Sequence, residues 1–167
     1  MNARLEFELV PSTCWWSNVR SQVTKAQWEV CKDFVKKRSG SKCEICGGVG
    51  SMWAVECHEI WEYDDEAQVQ TLVGLIALCP TCHAAKHIGR TMEVYTEREK
   101  ERVYAHVQRV NNWDRILLVK AIQNAFAIWS IRSDWQWSLD VSYLKELGLV
   151  LPQYVWDAQE RITTDAP

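Results

Sequence analysis

The sequence lacks any apolar run that approaches the roughly 20 residues needed to span a membrane. The longest candidate, residues 116–131, is interrupted by Lys120, Gln123 and Asn124. The first ten residues carry charges where a signal peptide would be apolar. These absences predict a cytoplasmic protein that does not enter a membrane.

Internal repeats, low-complexity tracts and obvious linkers are absent as well. The 167 residues suit one domain of ordinary size with a buried core. Hydrophobic residues make up 47% of the chain and charged residues 25%, which is typical of a globular rather than a disordered protein. We therefore expect a single domain over residues 1–167.

A net positive charge is also missing. The formal net charge is -3 at pH 7, which argues weakly against a dedicated nucleic-acid binder. The charge is uneven, however, because residues 20–42 and 80–132 are rich in lysine and arginine, while acids are concentrated at residues 62–66 and in the tail. A basic face on an acidic protein and a set of solvated helix faces are both compatible with this pattern.

Tryptophan and cysteine are abundant. We interpret the ten tryptophans as rings that anchor the core and the surface, in preference to platforms for nucleobase stacking. The seven cysteines are odd in number, and in a reducing compartment paired CxxC spacing indicates metal binding rather than disulfides. Cys14 and Cys31 are expected to be buried thiols, and Cys57 has the wrong spacing for the pairs.

Hydrophobic periodicity predicts helices on both sides of a central unit. Residues 24–38 place apolar side chains at helical spacing, with Thr24 as a candidate N-cap and Gly40 where a C-cap would be. Residues 113–131 are apolar at so many positions that we expect a well-buried helix. Further helices are predicted at residues 97–111 and 139–147.

The central unit is predicted to contain extended chain followed by a helix. Residues 53–61 alternate as a strand, residues 72–78 form a short apolar run, and a helix is predicted to begin at about Pro80. Residues 5–10 also alternate and predict a short strand. The expected fold class is α+β and mostly helical, with a central ββα unit between flanking helices.

Two CxxC pairs are the strongest chemical signal: Cys43 with Cys46, and Cys79 with Cys82. Zinc prefers four tetrahedral ligands, and each CxxC turn supplies two thiolates. We therefore expect a structural Zn²⁺ that joins the two ends of the central unit and has all four positions filled by protein. Loss of this ion should remove much of the stability of the fold.

Three of the four histidines are placed to share a second metal ion. His83 and His87 are four residues apart on a predicted helix and share one face, while His58 lies on the preceding strand. Three imidazoles accept several divalent metals, so Mg²⁺, Mn²⁺, Ni²⁺ and Zn²⁺ are all candidates. Surface histidines without a ligand role are the alternative. His106, on the charged helix at residues 97–111, is expected to be an ordinary surface residue.

The segment at residues 43–87 resembles an HNH endonuclease of the zinc-stapled type. The match rests on CEICG at residues 43–47, VECHEIW at residues 55–61 and GLIALCPTCHAAKH at residues 74–87. The resemblance implies a ββα-metal fold, in which a strand carries a metal ligand and a general base and a helix supplies histidines to a divalent metal. It also implies a metal-dependent endonuclease that hydrolyses DNA phosphodiester bonds in a phage or in host defence.

The resemblance covers about a quarter of the chain and implies where its functional residues lie. The HNH-like zinc core occupies about residues 41–92, between an N-terminal strand and helix at residues 1–40 and a helical region at residues 93–167. The flanking helices match no module. The implied catalytic residues are His58, Glu59 and His83, and the implied ligands of the catalytic metal are His58, His83 and His87.

Two positions depart from the family pattern. Gly74 stands where the family has an asparagine that positions the base. The strand has His58-Glu59-Ile60 where the family has Asp-His or His-His before an aliphatic residue. If Ile60 sets the register, His58 is the metal ligand and Glu59 the base; if the histidine sets it, His58 is the base and Cys57 the ligand. We prefer the first, because a thiol is a poor ligand for hard Mg²⁺ or Ca²⁺.

These departures leave a second function open. A catalytically retired zinc-binding module, which binds nucleic acid or a protein partner, would show the same two changes. DNA contacts through phosphates are expected from basic residues on either side of the CxxC pairs, and plain surface charge is the alternative for each. These residues are Lys36, Lys37, Arg38, Lys42, Lys86, Arg90, Arg98 and Arg102. The oligomeric state does not follow from the sequence.

Overall fold

The computed structural model describes residues 3–14 and 19–150, which form an α+β fold that is about half helical around one three-stranded sheet. The helices are α1 (Val19–Gln22), α2 (Lys25–Arg38), α3 (Pro80–Lys86), α4 (Ile88–Val94), α5 (Glu97–Asn111), α6 (Arg115–Arg132) and α7 (Tyr143–Glu146), and a 3-10 turn lies at Ser12–Cys14. The strands are β1 (Glu56–Asp64), β2 (Val69–Leu78) and β3 (Ser138–Asp140). Residues 151–167, part of the predicted C-terminal helical region, lie outside the described residues.

Helix α2 begins and ends where the sequence predicts. The Thr24 hydroxyl accepts a hydrogen bond from the Gln27 amide at 3.3 Å, and the Gln27 side chain accepts one from the Thr24 amide at 2.8 Å, which completes a capping box. The helix ends at Arg38 with Ser39 as its C-cap, and Gly40 follows with a φ of +60°. The local chemistry of residues 24–40 is therefore sufficient to define this helix.

The central ββα unit is present. β1 and β2 pair antiparallel, with His58 opposite Ile76, and the register shifts between Ile60 and Trp61. α3 follows β2 after one residue and begins at Pro80, a position where the missing N–H costs nothing. The two strands form, but β1 begins and ends three residues later than the predicted range 53–61, and β2 begins three residues before the predicted range 72–78. The predicted start of the helix at Pro80 is confirmed.

The two faces of β1 have different neighbours, and this difference decides which side chains meet. Successive residues of a strand point to opposite faces. One face carries Cys57 and packs under α2, in a core that includes Cys31 and Leu75. The other face carries His58 and packs under α3, beside a core built around the four CxxC cysteines and α5.

Two predicted elements, near the two ends of the described chain, are not observed in the structure. Residues 5–10 form no strand, because their backbone partners are not another strand: the Glu8 amide donates to Lys86 O at 2.9 Å, and the Asn111 side chain bonds both backbone groups of Leu5 at 2.9 and 2.8 Å. Residues 139–147 are not one helix. Ser138–Asp140 pairs in parallel with the free edge of β2, so tertiary pairing overrides local propensity and α7 begins only at Tyr143.

Helix α6 is correctly predicted in position but not in burial. Leu118 is its only buried residue, whereas Ile116 and Ile131 are 66% and 57% exposed. The helix is apolar around most of its surface and contacts the rest of the described chain along one side. The expectation of a well-buried helix is wrong, because composition records how apolar a helix is but not whether a second layer covers it. Within the described residues, none of the helices has the length and apolarity to cross a membrane.

Candidate metal centres

The four CxxC cysteines converge on one point. The sulfur atoms of Cys43, Cys46, Cys79 and Cys82 all lie within 4.8 Å of one another. Cys43, Cys79 and Cys82 are buried, and Cys46 is half-buried. Four cysteine sulfurs as the complete set of metal-ligand atoms are typical of a closed structural site. The cluster therefore has the ligands for a metal ion such as zinc.

The first CxxC turn is shaped by glycine. Gly47 has a φ of +74°, and its amide donates to Cys43 O at 2.8 Å, while the Gly48 amide donates to the Cys46 sulfur at 3.4 Å. A Cβ at Gly48 would lie 3.3 Å from that sulfur. Gly47 thus supplies a left-handed backbone conformation that other residues rarely adopt, and Gly48 leaves room for the close contact between its amide and the Cys46 sulfur.

The thiols share charge among themselves. Hydrogen bonds from Cys79 and Cys82 lower the pKa of Cys43, and the hydrogen bond to Cys43 raises the pKa of Cys79 to about 11. Hydrogen bonds to Cys43 and Cys79 also raise the pKa of Cys82. Without a metal, the ionised form of Cys43 is favoured and the ionised forms of Cys79 and Cys82 are disfavoured. A cation at the centre would stabilise all four thiolates together.

His106 contacts this cluster from α5. Its Nε2 lies 3.1 Å from the Cys82 sulfur, and the Arg109 guanidinium donates to its Nδ1 at 2.9 Å. Because arginine can only donate, Nδ1 accepts, and the ring proton on Nε2 is donated to the sulfur. The expectation that His106 is an ordinary surface residue is therefore wrong. The sequence signal was its position three residues after Val103, on the buried face of α5.

Arg38 belongs to the fold rather than to a free basic surface. Its guanidinium donates to both oxygens of Glu44, at 3.0 and 2.7 Å, and to Leu75 O at 2.7 Å. Glu44 in turn accepts from the Ala77 amide at 2.7 Å, so the CxxC turn is tied to β2. The predicted phosphate contact through Arg38 therefore has to compete with three existing hydrogen bonds.

His58, His83 and His87 form a second cluster. One ring nitrogen from each lies within 4.8 Å of the others, and the ring centroids are 4.7 to 5.2 Å apart. Nε2 of His83 and Nε2 of His87 are 3.1 Å apart. His87 stands at the break between α3 and α4, with a ψ of 49°. The structure brings the three predicted imidazoles together, one from β1 and two from α3 and its end.

Two carboxylates accept hydrogen bonds from ring nitrogens that face away from the centre of this cluster, which we call the outer nitrogens. His58 Nε2 donates to Glu8 at 2.8 Å, and His58 Nδ1 is buried without a hydrogen-bond partner. His83 Nδ1 donates to Glu56, which leaves Nε2 facing His87. A carboxylate on the outer nitrogen fixes the tautomer and raises the basicity of the inner one, as in most metal-binding histidines. The arrangement fits a divalent metal held by the three rings.

Burial favours the neutral form of His83 and His87. Burial lowers the pKa of His87 to about 3 and also lowers the pKa of His83, so both rings are uncharged at neutral pH, as metal binding requires. Burial opposes ionisation of Glu8, but the hydrogen bond from His58 and the charge of Lys86 bring its pKa below the usual value. Lys86 is paired with Glu8 and its side chain is 11% exposed, so it is not the free phosphate contact that we expected.

A cleft of about 210 Å³ opens onto the histidine cluster but not onto the cysteines. Its lining consists of Trp53, Glu56, Pro80, His83, Ala84, His87, Arg90, Thr91 and Tyr95. Arg90 is exposed there, on the same lining as His83 and His87. The histidine cluster is therefore accessible to a ligand, whereas the four-cysteine cluster is closed.

Glu59, the expected base, does not join the histidines. It lies on the opposite face of β1, near Cys31 and Cys57, and burial raises its pKa. Cys57 points the same way, and burial raises its pKa to about 12. Strand alternation is the reason, because neighbours of His58 cannot share its face. The acid that does share its face is Glu56, two residues earlier. Glu56 was not identified from the sequence, although the two-residue repeat of side chains along a strand places Glu56 and His58 on the same face.

The remaining basic residues keep their expected exposure. Lys36, Lys37 and Lys42 are exposed around the end of α2 and the first CxxC turn. Arg98 and Arg102 are exposed on α5. Among the predicted contacts, Arg90 alone lines the cleft beside the histidine cluster.

No family model, curated protein or solved structure matches this chain. The fold and the two clusters define an α+β protein with a four-cysteine site suited to a metal such as zinc. Any more specific conclusion rests on the ligands, the cleft and the charges described above.

Proposed function

We propose that the protein is a metal-dependent endonuclease of the HNH type that hydrolyses DNA phosphodiester bonds. In this proposal the four cysteines hold a structural Zn²⁺, and His58, His83 and His87 hold a catalytic divalent metal. The observation that carries the proposal is the histidine cluster at an open cleft with two of its outer nitrogens on carboxylates. Three protein ligands and an accessible position are typical of catalytic sites, whereas structural sites are closed.

In this proposal the residues around the cleft hold the metal, orient its ligands and bind the phosphate. When bound, the metal would act as a Lewis acid on a phosphate oxygen and stabilise charge on the leaving oxygen. Glu8 and Glu56 hold His58 and His83 in the required tautomers. Arg90 lies exposed in the cleft and would bind a phosphate oxygen. Hydrolysis adds water to phosphorus, breaks one P–O ester bond and returns a proton to the leaving oxygen.

The proposed base is Glu56 rather than Glu59 or His58. Nε2 of His58 is used by Glu8, and Nδ1 is the nitrogen left for the metal, so neither is free to take a proton. Glu56 lines the cleft and its side chain is 30% exposed. Its two oxygens accept from Trp53 and His83, but a carboxylate has further lone pairs with which to accept a proton from water.

The ligand set also favours particular metals. Three imidazole nitrogens without a carboxylate ligand suit Zn²⁺ or Ni²⁺ better than Mg²⁺, which prefers oxygen. The distinction is useful experimentally, because Mg²⁺ alone would be a poor choice for a first activity assay.

The test is cleavage of supercoiled plasmid by protein whose four-cysteine site is fully loaded, with Zn²⁺, Ni²⁺, Mn²⁺ or Mg²⁺ added. His83→Ala should abolish cleavage, and Glu56→Gln should slow it by about 100- to 10,000-fold if Glu56 is the base. Glu59→Gln is the matched comparison, since it makes the same change on the other face of β1. It should leave the rate within about threefold of wild type.

Three outcomes would contradict parts of this proposal. A larger loss from Glu59→Gln than from Glu56→Gln would return the role of base to Glu59. Cleavage that survives His83→Ala would exclude the histidine cluster as the catalytic centre. No cleavage of any DNA form with any metal would exclude the nuclease.

The exposed apolar surface of α6 favours a second candidate function, a metal-binding module that binds a protein partner without catalysis. Leu117 and Ile128 are 48% and 41% exposed, and they add to the exposed Ile116 and Ile131. Such surfaces commonly mark interaction sites. An inactive wild-type protein whose histidine cluster still binds Ni²⁺ would support this alternative over the nuclease.

A further inference from the structure

We propose that the cleft beside the histidine cluster binds one unpaired nucleotide, with its base stacked on Trp53 and its phosphate on Arg90. The preferred substrate would then be single-stranded or locally unpaired DNA. This inference rests on the proposed nuclease and names its substrate class. It also reverses our interpretation of tryptophan for this one ring.

Trp53 is placed and oriented as a stacking platform. It lines the cleft and is 50% exposed, which is unusual for so large an apolar ring. Its Nε1 donates to Glu56 at 2.7 Å, and the same carboxylate accepts the proton of His83. One side chain therefore fixes both the indole and a metal ligand. Because the indole N–H is already used, the ring can offer a ligand only its faces and its apolar edge, which favours stacking over hydrogen bonding.

Arg90 supplies the charge for a phosphate. It lies in the same cleft, three residues after His87, and is exposed. Among residues 3–14 and 19–150, no carboxylate forms an ion pair with it, unlike Arg38, Arg115 and Arg132. Within the described residues this guanidinium is therefore available to a phosphate, on the same cleft lining as His83 and His87.

The size of the cleft favours one nucleotide over a base pair. Its volume of about 210 Å³ is below the roughly 300–1,000 Å³ of pockets that enclose drug-sized ligands. A cleft of this size suits one planar ring and a phosphate better than a whole base pair. In a duplex both faces of each base are covered by its neighbours, so stacking on Trp53 requires a base that has left the helix.

The first test measures binding without cleavage. The probes are a short oligonucleotide that contains 2-aminopurine, alone and in a duplex, with zinc-loaded protein and no other metal added. We expect at least about tenfold tighter binding of the single strand, together with quenching of the 2-aminopurine fluorescence by stacking. Trp53→Ala should weaken single-strand binding by about 5- to 150-fold and remove the quenching.

Trp53→Phe separates stacking from an indirect effect through Glu56. Phenylalanine keeps the ring but loses the N–H that bonds Glu56, so stacking predicts near-normal binding and quenching. Equal losses in Trp53→Phe and Trp53→Ala would overturn the stacking role. Arg90→Gln should reduce the salt dependence of binding by about one charge. Lys120→Gln is the charge control, because Lys120 is exposed on α6 and lies outside the cleft lining.

Failure of this inference is distinguishable from failure of the nuclease. Wild-type cleavage of duplex and single strand at equal rates, with binding unchanged in Trp53→Ala, would overturn the nucleotide subsite and leave the nuclease standing. Tight, quenched binding of the single strand without cleavage by any metal would overturn the nuclease and leave the subsite. Absence of binding to either probe would overturn the subsite.

Discussion

The Glu8 carboxylate lies 2.8 Å from Nε2 of His58, although the two residues are 50 positions apart in the chain. Glu8 also pairs with Lys86 at the end of α3, and its backbone amide donates to Lys86 O at 2.9 Å. The N-terminal segment is thus fastened across β1 and α3 at the histidine cluster. The three histidines belong to the ββα unit and its end, but one of them is hydrogen-bonded to a residue outside that unit.

Removal of the Glu8 carboxylate should therefore weaken metal binding by the histidines. Glu8→Gln replaces a charged acceptor with a neutral one, and we expect an affinity for Ni²⁺ about 10- to 100-fold lower. Isothermal titration calorimetry on protein with a loaded four-cysteine site measures it. Glu6→Gln is the matched control, since Glu6 is exposed in the same segment. Equal affinities in wild type and Glu8→Gln would exclude the orienting role.

The stability of the protein should fall on acidification, partly through His87. Burial lowers the pKa of His87 from 6.5 to about 3. Between these two pH values the unfolded chain binds a proton that the folded protein does not, so the free energy of unfolding decreases as the pH falls. The slope is about 1.4 kcal/mol per pH unit for this group alone. His83 and His106, whose pKa values are also lowered by burial, contribute with the same sign.

The contribution of His87 is measured by urea unfolding of wild type and His87→Gln at pH 6.5 and pH 5, with no metal added at the histidines. The stability lost between these two pH values should be about 1.6 kcal/mol smaller in the variant, because half of the unfolded chains already carry the proton at pH 6.5. The four-cysteine site responds to pH in both proteins and cancels in the difference. Identical pH dependence in the two proteins would show that His87 titrates normally in the folded state.

His106 should stabilise metal held by the four cysteines. His106→Phe removes the hydrogen bond to the Cys82 sulfur, and we expect zinc affinity to fall by about 10- to 100-fold. Competition with a coloured zinc chelator measures the change. His106→Gln retains an N–H donor of similar length and should recover part of the affinity. Wild-type zinc affinity in His106→Phe would assign His106 a packing role only.

The exposed side of α6 should tolerate charge in the isolated protein. Ile116→Glu and Ile131→Glu should each change the free energy of unfolding by no more than about 0.5 kcal/mol, since both side chains are largely exposed. Leu118→Ala, two residues from Ile116 and fully buried, should cost about 2–5 kcal/mol. Urea unfolding compares the three variants. A cost for Ile116→Glu as large as that for Leu118→Ala would mean that this side of α6 is covered.

Features with local causes were predictable from the sequence. The Thr24 capping box and Gly40 define α2 from within a 17-residue stretch, and Pro80 marks the start of α3. The CxxC spacing brings each pair of thiols together through a single turn. Strand alternation also implies that Glu59 and His58 lie on opposite faces of β1 and that Glu56 shares the face of His58. The resemblance to the HNH pattern favours Glu59 instead, because that pattern places the base next to the metal ligand in sequence.

The sequence by itself determined the metal-binding residue types and the elements that carry them, because turns, caps and periodicity act over a few residues. Only the tertiary structure decided which of these residues meet. Glu8 reaches His58, His106 reaches Cys82, and Trp53 shares Glu56 with His83. Contacts between distant segments depend on how faces pack, and the same packing leaves α6 half uncovered while it encloses the four cysteines.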